Sequence, residues 1–533
     1  FEGDGSSMTG VAMTIAPLAY NPDVNDSVVA TTSGIGITFD HRILAGSGNV
    51  TLSVATNAGA AGTTVENFGV GSSVTIAGRS VSIDPTSDLN FGETYHISYP
   101  SGAFTNTSGD VDYVGTAYTF GVKAAEYQLW VWGRNNQGQL GQNAPTSSDR
   151  SSPVQIPGIT WSKVNISMAI KNDGSLWAWG QNDWGQLGKN NTTNYSSPIQ
   201  IGSETTWNKI TFGYDDITAA IKTDGTLWTW GKNDKGQLGD NSVVSKSSPV
   251  QIPGTTWNFT ATGDDALYAV KTDGTLWSWG ANQLGELGQN NTTRYSSPVQ
   301  IPGTTWSTDP KSLTIGGGFA AAIKTDGTLW VWGYGASGRL GLNQPHSTRV
   351  SSPTQVPGTT WDTIDAGSGT CFATKTDGTL WSWGSASGDG DLGHNDKTNR
   401  SSPTQIPGTS WATGYQKISA HAQGGAAIRT DGTLWTWGNN GNGELGLNNK
   451  TEYSSPKQVP GTTWRTVQGA QDAMMATKTD GTLWAWGDNT YGSLGQNDRT
   501  NESSPKQIPG TDWQQLIAVN SGGSRSFFAT KVP

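Results

Sequence analysis

The sequence predicts an all-β protein in which an eight-bladed β-propeller follows a β-sandwich. Three observations predict it: a Trp-rich repeat of 47 to 54 residues, an Asp-Gly turn inside that repeat, and a Trp-free front segment of alternating apolar and polar residues. The composition agrees, with 72 Gly, 25 Trp and only 14% charged residues in 533. Disorder needs higher charge and fewer aromatic residues, and helical proteins are richer in Ala, Leu, Glu and Lys.

The repeat is defined by the motif Leu-Trp-x-Trp-Gly, which occurs eight times. The copies begin at Leu129, Leu176, Leu227, Leu276, Leu329, Leu380, Leu434 and Leu483. Each copy continues into Gly-x-Leu-Gly, Ser-Ser-Pro and usually Pro-Gly-Thr-Thr-Trp. Of the 25 Trp, only Trp184 lies outside these repeated positions. We therefore expect eight similar units that stack on one another.

Local structure within the repeat follows from the Asp-Gly pair, which seven repeats contain. Asp-Gly favours a two-residue type I′ hairpin loop. At Asp224-Gly225 such a loop would pair Ala220 with Thr229 and place Trp228 on the opposite face from Ala220. Each sheet would then have a bulky face and a shallow face, which suits radially stacked blades about 10 Å apart.

The two ends of the repeat array are complementary. The first copy lacks the Ala-x-Lys strand that precedes the Asp-Gly turn elsewhere, whereas the chain ends in such a strand with no turn after it. We predict that Phe528–Val532 pairs with Tyr127–Trp132. This pairing would complete one blade from both ends of the array and close a ring of eight blades over residues 126–533.

Residues 126–533 resemble the RCC1 (regulator of chromosome condensation) repeat. The resemblance rests on the pattern Gly-x5-Ala-x3-Asp-Gly-x-Leu-Trp-x-Trp-Gly-x-Asn-x2-Gly-Gln-Leu-Gly. It implies a β-propeller, and because the best-known members have seven blades, seven is the alternative count. The family includes nucleotide exchange factors, enzyme inhibitors and bacterial and phage surface proteins, so the fold does not determine the function.

Residues 11–123 have a different composition, without Trp and rich in Val, Thr, Ser and Gly. Alternating runs occur at Ile35–Phe39, Val50–Val54, Ser73–Ile76, Thr94–Tyr99 and Tyr118–Val122. Their spacing predicts a β-sandwich. The stretch from Leu89 to Phe120 resembles the bacterial Ig-like domain of S-layer and adhesin-type proteins, which implies a stalk or an assembly joint. Residues 1–10 are interpreted as a linker or a processed N-terminal segment.

Several chemistries are disfavoured by composition. With a net charge of −10 and no run of Lys or Arg, we expect no nucleic-acid partner. No apolar run approaches the ~18 residues of a membrane helix, so we expect no membrane insertion. The one cysteine, Cys371, cannot form an internal disulfide, and the five His show no metal-ligand spacing. No catalytic residue is predicted.

One segment could bind a metal ion. Asp389 and Asp391 lie in the run 388–396, where their oxygens could ligate Ca²⁺. A long turn within a loop is the preferred interpretation, so no cofactor is expected.

Function is expected where the repeats differ from one another, because scaffold positions are identical in all blades. Two zones vary, one before the Ala-x-Lys strand and one between Gly-x-Leu-Gly and Ser-Ser-Pro. The first supplies the candidate binding residues Asp216, Asp265, Asp472 and Arg525, and the second supplies Tyr195, Arg294, Tyr295, His346, Arg349, Arg400 and Tyr453. The loops of the second zone mix Asn, Thr, Tyr and Arg, a composition that suits recognition of protein or glycan. Drift in unconstrained loops explains it equally well.

The function expected first is that of a non-enzymatic structural or adhesive protein on the outside of a virion or a bacterial cell. Its partners would be a protein or glycan at that surface, or neighbouring subunits of the virion or surface assembly. The alternative is a soluble regulatory or inhibitory propeller that binds one partner protein. A glycan-acting enzyme is the least favoured hypothesis, because the repeats supply no catalytic carboxylate pair.

Overall fold

The structure, a computed structural model, forms two compact units, Phe1–Ala125 and Glu126–Pro533. The residues that it describes are 17–21, 35–55, 60–85, 89, 94–106, 117–121, 127–144, 148–213, 216–263, 265–345, 348–386, 388–421, 423–469, 472–518 and 526–532. Within these ranges no helix has the length and apolarity needed to cross a membrane.

The first unit is a β-sandwich of two four-stranded antiparallel sheets. Its strands are β1 (Pro17–Asn21), β2 (Ile35–Phe39), β3 (Leu44–Ala45), β4 (Asn49–Ala55), β5 (Ala61–Gly69), β6 (Thr75–Ala77), β7 (Ser80–Ile83), β8 (Thr94–Ser98), β9 (Phe104–Thr105) and β10 (Tyr118–Gly121). The sheets have the orders β1-β2-β7-β6 and β10-β8-β4-β5, and β3 pairs with β9. All five predicted alternating runs overlap strands. In β2, for example, Ile35, Ile37 and Phe39 are buried in the shared core while the residues between them are half-buried.

The second unit is built from four-stranded antiparallel groups, which we number as blades in chain order. Blades 1 to 4 contain β12 (Arg150–Asn165), β13 (Met168–Lys171), β14 (Leu176–Gly180), β15 (Tyr195–Gln200); β16 (Trp207–Phe212), β17 (Ile217–Lys222), β18 (Leu227–Gly231), β19 (Lys246–Ile252); β20 (Trp257–Gly263), β21 (Ala266–Lys271), β22 (Leu276–Gly280), β23 (Tyr295–Gln300); and β24 (Leu313–Gly316), β25 (Phe319–Ile323), β26 (Leu329–Tyr334), β27 (Arg349–Gln355). Blades 5 to 8 contain β28 (Trp361–Ala366), β29 (Thr370–Lys375), β30 (Leu380–Gly384), β31 (Arg400–Ile406); β32 (Ile418–His421), β33 (Gly424–Ile428), β34 (Leu434–Gly438), β35 (Tyr453–Gln458); β36 (Trp464–Gly469), β37 (Ala473–Lys478), β38 (Leu483–Gly487), β39 (Glu502–Ile508); and β40 (Trp513–Ala518), β41 (Ser526–Lys531), β11 (Tyr127–Gly133) and part of β12. Two short 3₁₀ turns lie at Pro310–Ser312 and Ala336–Gly338.

The long strand β12 is shared by two blades. Its first half pairs with β11 and its second half with β13, which merges blades 8 and 1 into one seven-stranded sheet, β15-β14-β13-β12-β11-β41-β40. Counting both halves, the described strands form eight groups of four. The first strands of successive blades contact one another, which places them nearest the axis of the ring.

Blade 8 is assembled from both ends of the propeller sequence. The C-terminal strand β41 pairs with β11 from Gln128↔Lys531 to Gly133↔Ser526, and on its other side it pairs with β40. Between blades 8 and 1, a cluster of buried residues joins Phe528 to Trp179. Similar clusters lie between each of the other successive blades, so the ring of described strands has no open edge.

The predicted register of the Asp-Gly hairpin is wrong by one residue. Ala220 pairs with Trp228, not with Thr229, so both residues lie on the same face. The loop contains three residues because the Lys222 amide donates to the Thr226 carbonyl at 3.0 Å. Within it, Gly225 has a φ of +76°, and Asp224 does not adopt a positive φ.

This geometry is that of a type I turn followed by a G1 bulge. The Asp224 side chain stabilises it, because Oδ1 accepts hydrogen bonds from the amide and the hydroxyl of Thr226 at 2.9 and 2.7 Å. The corrected faces explain why the repeat has Ala at position 220. That small residue leaves room beside Trp230, and both pack against Leu176 and Met168 of the preceding blade.

A second set of contacts between blades runs through the second Trp of each motif. The Trp230 indole is fully buried, and its Nε1 donates to the carbonyl of Gln186 in blade 1 at 2.9 Å. The same bond recurs around the ring: Trp132 to Ser493, Trp179 to Gln139, Trp279 to Gln237, Trp332 to Glu286, Trp383 to Arg339, Trp437 to Asp391 and Trp486 to Glu444. Each bond satisfies a buried donor and fixes one blade against the next.

Candidate functional site: the variable face of the propeller

The propeller has two rims that differ in their loops. Because all strands within a blade are antiparallel, the Asp-Gly turns and the Pro-Gly links between blades lie on one rim, the turn face (223–226 and 253–256 in blade 2). The loops that join the first strand to the second and the third strand to the fourth lie on the other rim, the variable face (in blade 2 they begin after Phe212 and after Gly231). Both zones of sequence variation therefore share one surface.

On the turn face the same side-chain arrangement is repeated. The cation before each Asp-Gly turn lies against indole rings; the Lys222 ammonium, for instance, is 4.9 Å from the ring centroid of Trp207 and 4.0 Å from that of Trp228. The Trp228 Nε1 donates to the Thr226 hydroxyl, which in turn bonds Asp224. The Lys222 ammonium also pairs with Glu204 in the link from blade 1. These groups therefore use their polar atoms in contacts inside the propeller, which is a structural role.

On the variable face, a buried Asn organises the loop between the third and fourth strands. In blade 1, the Oδ1 atom of Asn182 accepts from the Leu187 amide at 2.9 Å, and its Nδ2 donates to the carbonyls of Asn191 and Thr193 at 3.0 and 2.9 Å. Asn233, Asn282, Asn440 and Asn489 make the equivalent bonds. The loops in these blades therefore have a fixed shape although their exposed residues differ.

A hydrogen bond to the next blade also holds each of these loops. In blade 1, the Asn190 amide donates to the carbonyl of Ser247 at 2.6 Å, and Asn190 has a φ of +60°. The equivalent Asn residues also have positive φ and make this bond: Asn143, Asn241, Asn290, Asn343, Asn395, Asn448 and Asn497. Asn tolerates the left-handed region better than most residues, which explains its recurrence after Gly-x-Leu-Gly.

The acidic candidates of the first zone lie at contacts between or within blades. Asp216 accepts from the Gln186 side chain at 2.7 Å, and Asp265 accepts from Lys232 and Gln237 at 3.0 and 3.2 Å. The Asp472 carbonyl accepts from the Asp488 amide at 2.7 Å. Arg525 lies outside the described residues.

The tyrosine candidates also have structural contacts. Each is half-buried and begins the fourth strand of its blade: Tyr195, Tyr295 and Tyr453. The hydroxyls of the first two accept from Asn191 and Asn291 at 3.0 and 2.9 Å, and the third lies under the Lys457 ammonium at 5.2 Å. These tyrosine side chains therefore stabilise the loops and are only partly available to a partner.

The arginine candidates are the more accessible group. Arg294 and Arg349 are exposed and donate across the blade interface to the carbonyls of Asp234 and Gln283 at 3.5 and 3.4 Å. Arg400 is half-buried and pairs with Asp396 at 2.5 Å. The remaining candidate, His346, lies outside the described residues. The structure thus places the described candidates on one rim but does not bring them together in a single cluster.

An exposed apolar patch on blades 1 and 2 was missed by the sequence reasoning. Trp184, Val243 and Val244 are 43%, 54% and 63% exposed, respectively. They lie in adjacent loops of the variable face, since Gly185 packs against Ser247 and the Lys232 ammonium is 6.0 Å from the Trp184 ring centroid. The signal was available in the sequence, because Trp184 is the one Trp outside the repeated positions.

The segment considered for Ca²⁺ forms a turn. The Asp391 carbonyl accepts from the Trp437 indole, and an Asp389 oxygen accepts from the Asn439 side chain at 3.2 Å. Among the residues that the structure describes, no three His, Cys, Asp or Glu side chains are grouped so that they could hold a metal ion.

Comparison with known families agrees with this architecture. Residues 261–532, just over half of the chain, match the RCC1-like domain, and the RCC1 repeat matches 128–166, 173–221, 224–261 and 207–237. The chain belongs to the RCC1-like domain family. Residues 13–122 match the bacterial Ig-like domain.

Curated relatives of this RCC1-like chain include proteins of several kinds. The E3 ubiquitin-protein ligase HERC2 of Homo sapiens is 26% identical over 252 residues, covering 46% of this chain and 4% of the ligase. The mitochondrial RCC1 domain-containing protein RUG3 of Arabidopsis thaliana is 25% identical, covering 62% and 59%. The ultraviolet-B receptor UVR8 of the same plant is 28% identical, covering 62% and 64%. The chain spans less than two thirds of the length of each of these three relatives.

Solved structures share the fold of the RCC1-like unit. Prp20p of Saccharomyces cerevisiae aligns with a TM-score of 0.54 at 19% identity, covering 77% of this chain and 92% of that one. Human WBSCR16 aligns with a TM-score of 0.52 at 17% identity, covering 76% and 98%.

Proposed function

We propose that this RCC1-like protein is a non-enzymatic binding protein that recognises a partner protein through the variable face. The observation that carries the proposal is the apolar patch of Trp184, Val243 and Val244 on loops whose backbone is already fixed. Trp is enriched among the residues that dominate binding energy at protein interfaces. A loop that is ordered before binding loses less conformational entropy on association, so such a patch is well suited to recognition.

Relatives support a protein as the partner. Prp20p is described through its binding to Gsp1p and histones, and it is also solved bound to Kap60. A glycan remains the competing partner that the polar loops would suit, and the experiment below distinguishes the two.

The test compares the two rims of the full chain. A photo-crosslinking residue at position 183, exposed beside Trp184, is expected to capture one protein, whereas the same residue at position 159 on the turn face is not. With that partner purified, Trp184→Ala or the pair Val243→Ser and Val244→Ser should weaken the Kd at least about tenfold, which is about 1.4 kcal/mol. Ile159→Ser is the matched control, because Ile159 is 47% exposed on the other rim.

The opposite pattern would refute the proposal. If Ile159→Ser weakens binding and Trp184→Ala does not, the variable face is not the binding surface. If only glycans are captured at position 183, the partner class is wrong.

We further propose display on the outside of a virion or a bacterial cell, with the N-terminal unit as a stalk. The match of residues 13–122 to the bacterial Ig-like domain supports this location. Antibodies against the propeller should label intact cells or particles. Labelling only after lysis would favour the alternative, a soluble regulator that binds one partner through the same face.

A further inference from the structure

Blades 4 and 6 each carry four extra residues next to the ring axis. In blade 2, Trp207 is followed after three residues by Ile210, which packs in the blade interface. The equivalent step is seven residues from Trp306 to Leu313 and from Trp411 to Ile418. The inner strands β24 and β32 consequently begin late, and each of these two Trp residues keeps only an isolated bridge to its neighbour.

The two insertions border a cavity of about 270 Å³ near the axis. Its walls include Lys311 from the first insertion, Tyr415 and Gln416 from the second, and Thr363 and Asp365 from β28 between them. At about 30 Å³ per water, this is the volume of on the order of nine waters. The cavity therefore has room for a small molecule rather than for a polypeptide segment.

A carboxylate without a cationic partner lies in this cavity. The Asp365 Oδ2 atom accepts from the Ala420 amide at 2.7 Å, and Oδ1 accepts from the Ala366 amide at 3.1 Å. No described cation forms an ion pair with it. Burial raises the pKa of Asp365 to about 6, because a desolvated carboxylate is costly unless an opposite charge compensates it.

Lys311, which lines the cavity, and Lys417, which follows the lining residue Gln416, are engaged elsewhere. The Lys311 ammonium, which lines the same cavity, lies 3.1 Å from Asp362 and 3.6 Å from Asp309. The Lys417 ammonium donates to the Arg465 carbonyl, and the Arg465 guanidinium donates to the Trp513 carbonyl at 2.8 Å. The protein thus holds its own positive groups away from the Asp365 carboxylate.

Tyr415 adds an aromatic ring to the same cavity. It is 63% exposed, although most large apolar and aromatic side chains of this chain are buried, and it lies in an insertion that six other blades lack. An aromatic ring and a carboxylate in one cavity are a combination that recognises organic ammonium ions.

We propose that this axial cavity binds a small organic ammonium compound, with the Asp365 carboxylate as its counter-ion and the Tyr415 ring against its cationic group. Binding would supply the positive charge that the Asp365 carboxylate lacks, without any change in the strands of the propeller. The site is separate from the patch on the variable face, so its test does not depend on the proposed partner.

The test titrates the full chain calorimetrically with n-butylammonium and tetramethylammonium, and with n-butanol and butyrate as uncharged and anionic probes. The ammonium probes are expected to bind, and the other two are not. Asp365→Asn should weaken binding at least about tenfold and Tyr415→Ala several-fold, whereas Glu452→Gln, on the exposed surface, should change nothing. Equal binding of butanol, or unchanged affinity of folded Asp365→Asn, would overturn the proposal.

A second measurement keeps the proposal testable if Asp365→Asn does not fold. At pH 5, below the pKa of about 6, an ammonium ion that pairs with Asp365 must displace its proton. The heat of butylammonium binding to the wild-type chain should then depend on the ionisation enthalpy of the buffer at pH 5 and much less at pH 8. Binding without proton release at pH 5 would exclude Asp365 as the counter-ion.

Discussion

The two rims of the propeller are built by the same repeats, but they use side chains differently. On the turn face, Asp224, Thr226 and Lys222 use their polar atoms in contacts inside the propeller, and equivalent residues do so around the ring. On the variable face, the repeated contacts are made by the backbone and by a buried Asn, so the exposed positions are free to differ. A closed ring can therefore vary one rim without loss of stability, provided that the buried Asn and the bonds between blades are kept.

Deleting residues 526–533 should open the ring, which disturbs both rims, and should have the largest effect on stability. Strand β41 lies between β11 and β40 and contributes Phe527, Phe528 and Ala529 to two blade interfaces. The truncated chain should melt at a much lower temperature and have a larger hydrodynamic radius. A control that lacks only Val532 and Pro533 keeps the strand and should stay close to wild type. If the longer deletion melts like the full chain, the ring is not closed by this strand.

Trp230→Ala should destabilise the ring far more than Trp184→Ala. Removing the buried indole leaves a cavity and takes a donor from the Gln186 carbonyl, which should lower the free energy of unfolding by about 3–5 kcal/mol. Trp184 makes no equivalent buried contact, so its replacement should change stability by less than about 0.5 kcal/mol. Urea denaturation measures both. Similar losses for the two variants would mean that Trp184 belongs to the scaffold.

Asn182→Ala tests whether the buried Asn side chain holds the loop above it in its shape. The substitution removes the partners of the Leu187 amide and of the Thr193 carbonyl, which should cost about 1–3 kcal/mol. Amide hydrogen exchange should accelerate in residues 187–194 and remain slow in the Asp-Gly turn of the same blade. Thr192→Ala, in the exposed part of the same loop, is the control and should leave exchange unchanged. Uniform acceleration across the blade would contradict a local role.

Acidification to about pH 3 or below should weaken the turn face, with the smallest effect per site. Hydrogen bonds from the Thr226 side chain and amide lower the pKa of Asp224, and the equivalent bonds lower the pKa of the other turn Asp residues. A folded-state pKa below the unfolded value gives stability that is present above about pH 4 and is lost as the pH falls through the lowered value. Melting temperatures between pH 5 and pH 2 should show this decrease, and Asp224→Asn should reduce it slightly. A flat profile would show that these bonds do not couple to folding.

Much of the architecture could be predicted from the repeat itself. The recurring Trp positions predict the blades. The complementary ends of the array predict that the last strand pairs with the first, and β41 does pair with β11. The hairpin register could not be obtained this way, because Asp-Gly also fits a three-residue loop in which only Gly225 needs a positive φ. The choice between the two loops depends on packing, in particular on Trp230 and Ala220 sharing one face.

The candidate sites were predicted less completely, for a physical reason. Variation between repeats pointed to residues that share one rim, but it does not report exposure, and Tyr195 and Asp216 vary while making structural contacts. Asp365 could not be recognised from sequence, since its role depends on insertions in blades 4 and 6 that only the closed ring brings beside it.

Blade 8 also has a consequence for how the chain could be rearranged. Gln128 and Lys531 are paired at the turn-face end of their strands, where seven other blades have a turn that contains Asp-Gly or its equivalent. The first and last strands of the repeat array thus meet where the other blades have a turn. A circular permutant of the propeller unit that joins Lys531 to Gln128 with Thr-Asp-Gly and opens at another Asp-Gly turn would keep every pair of strands, so the ring can be threaded from more than one blade.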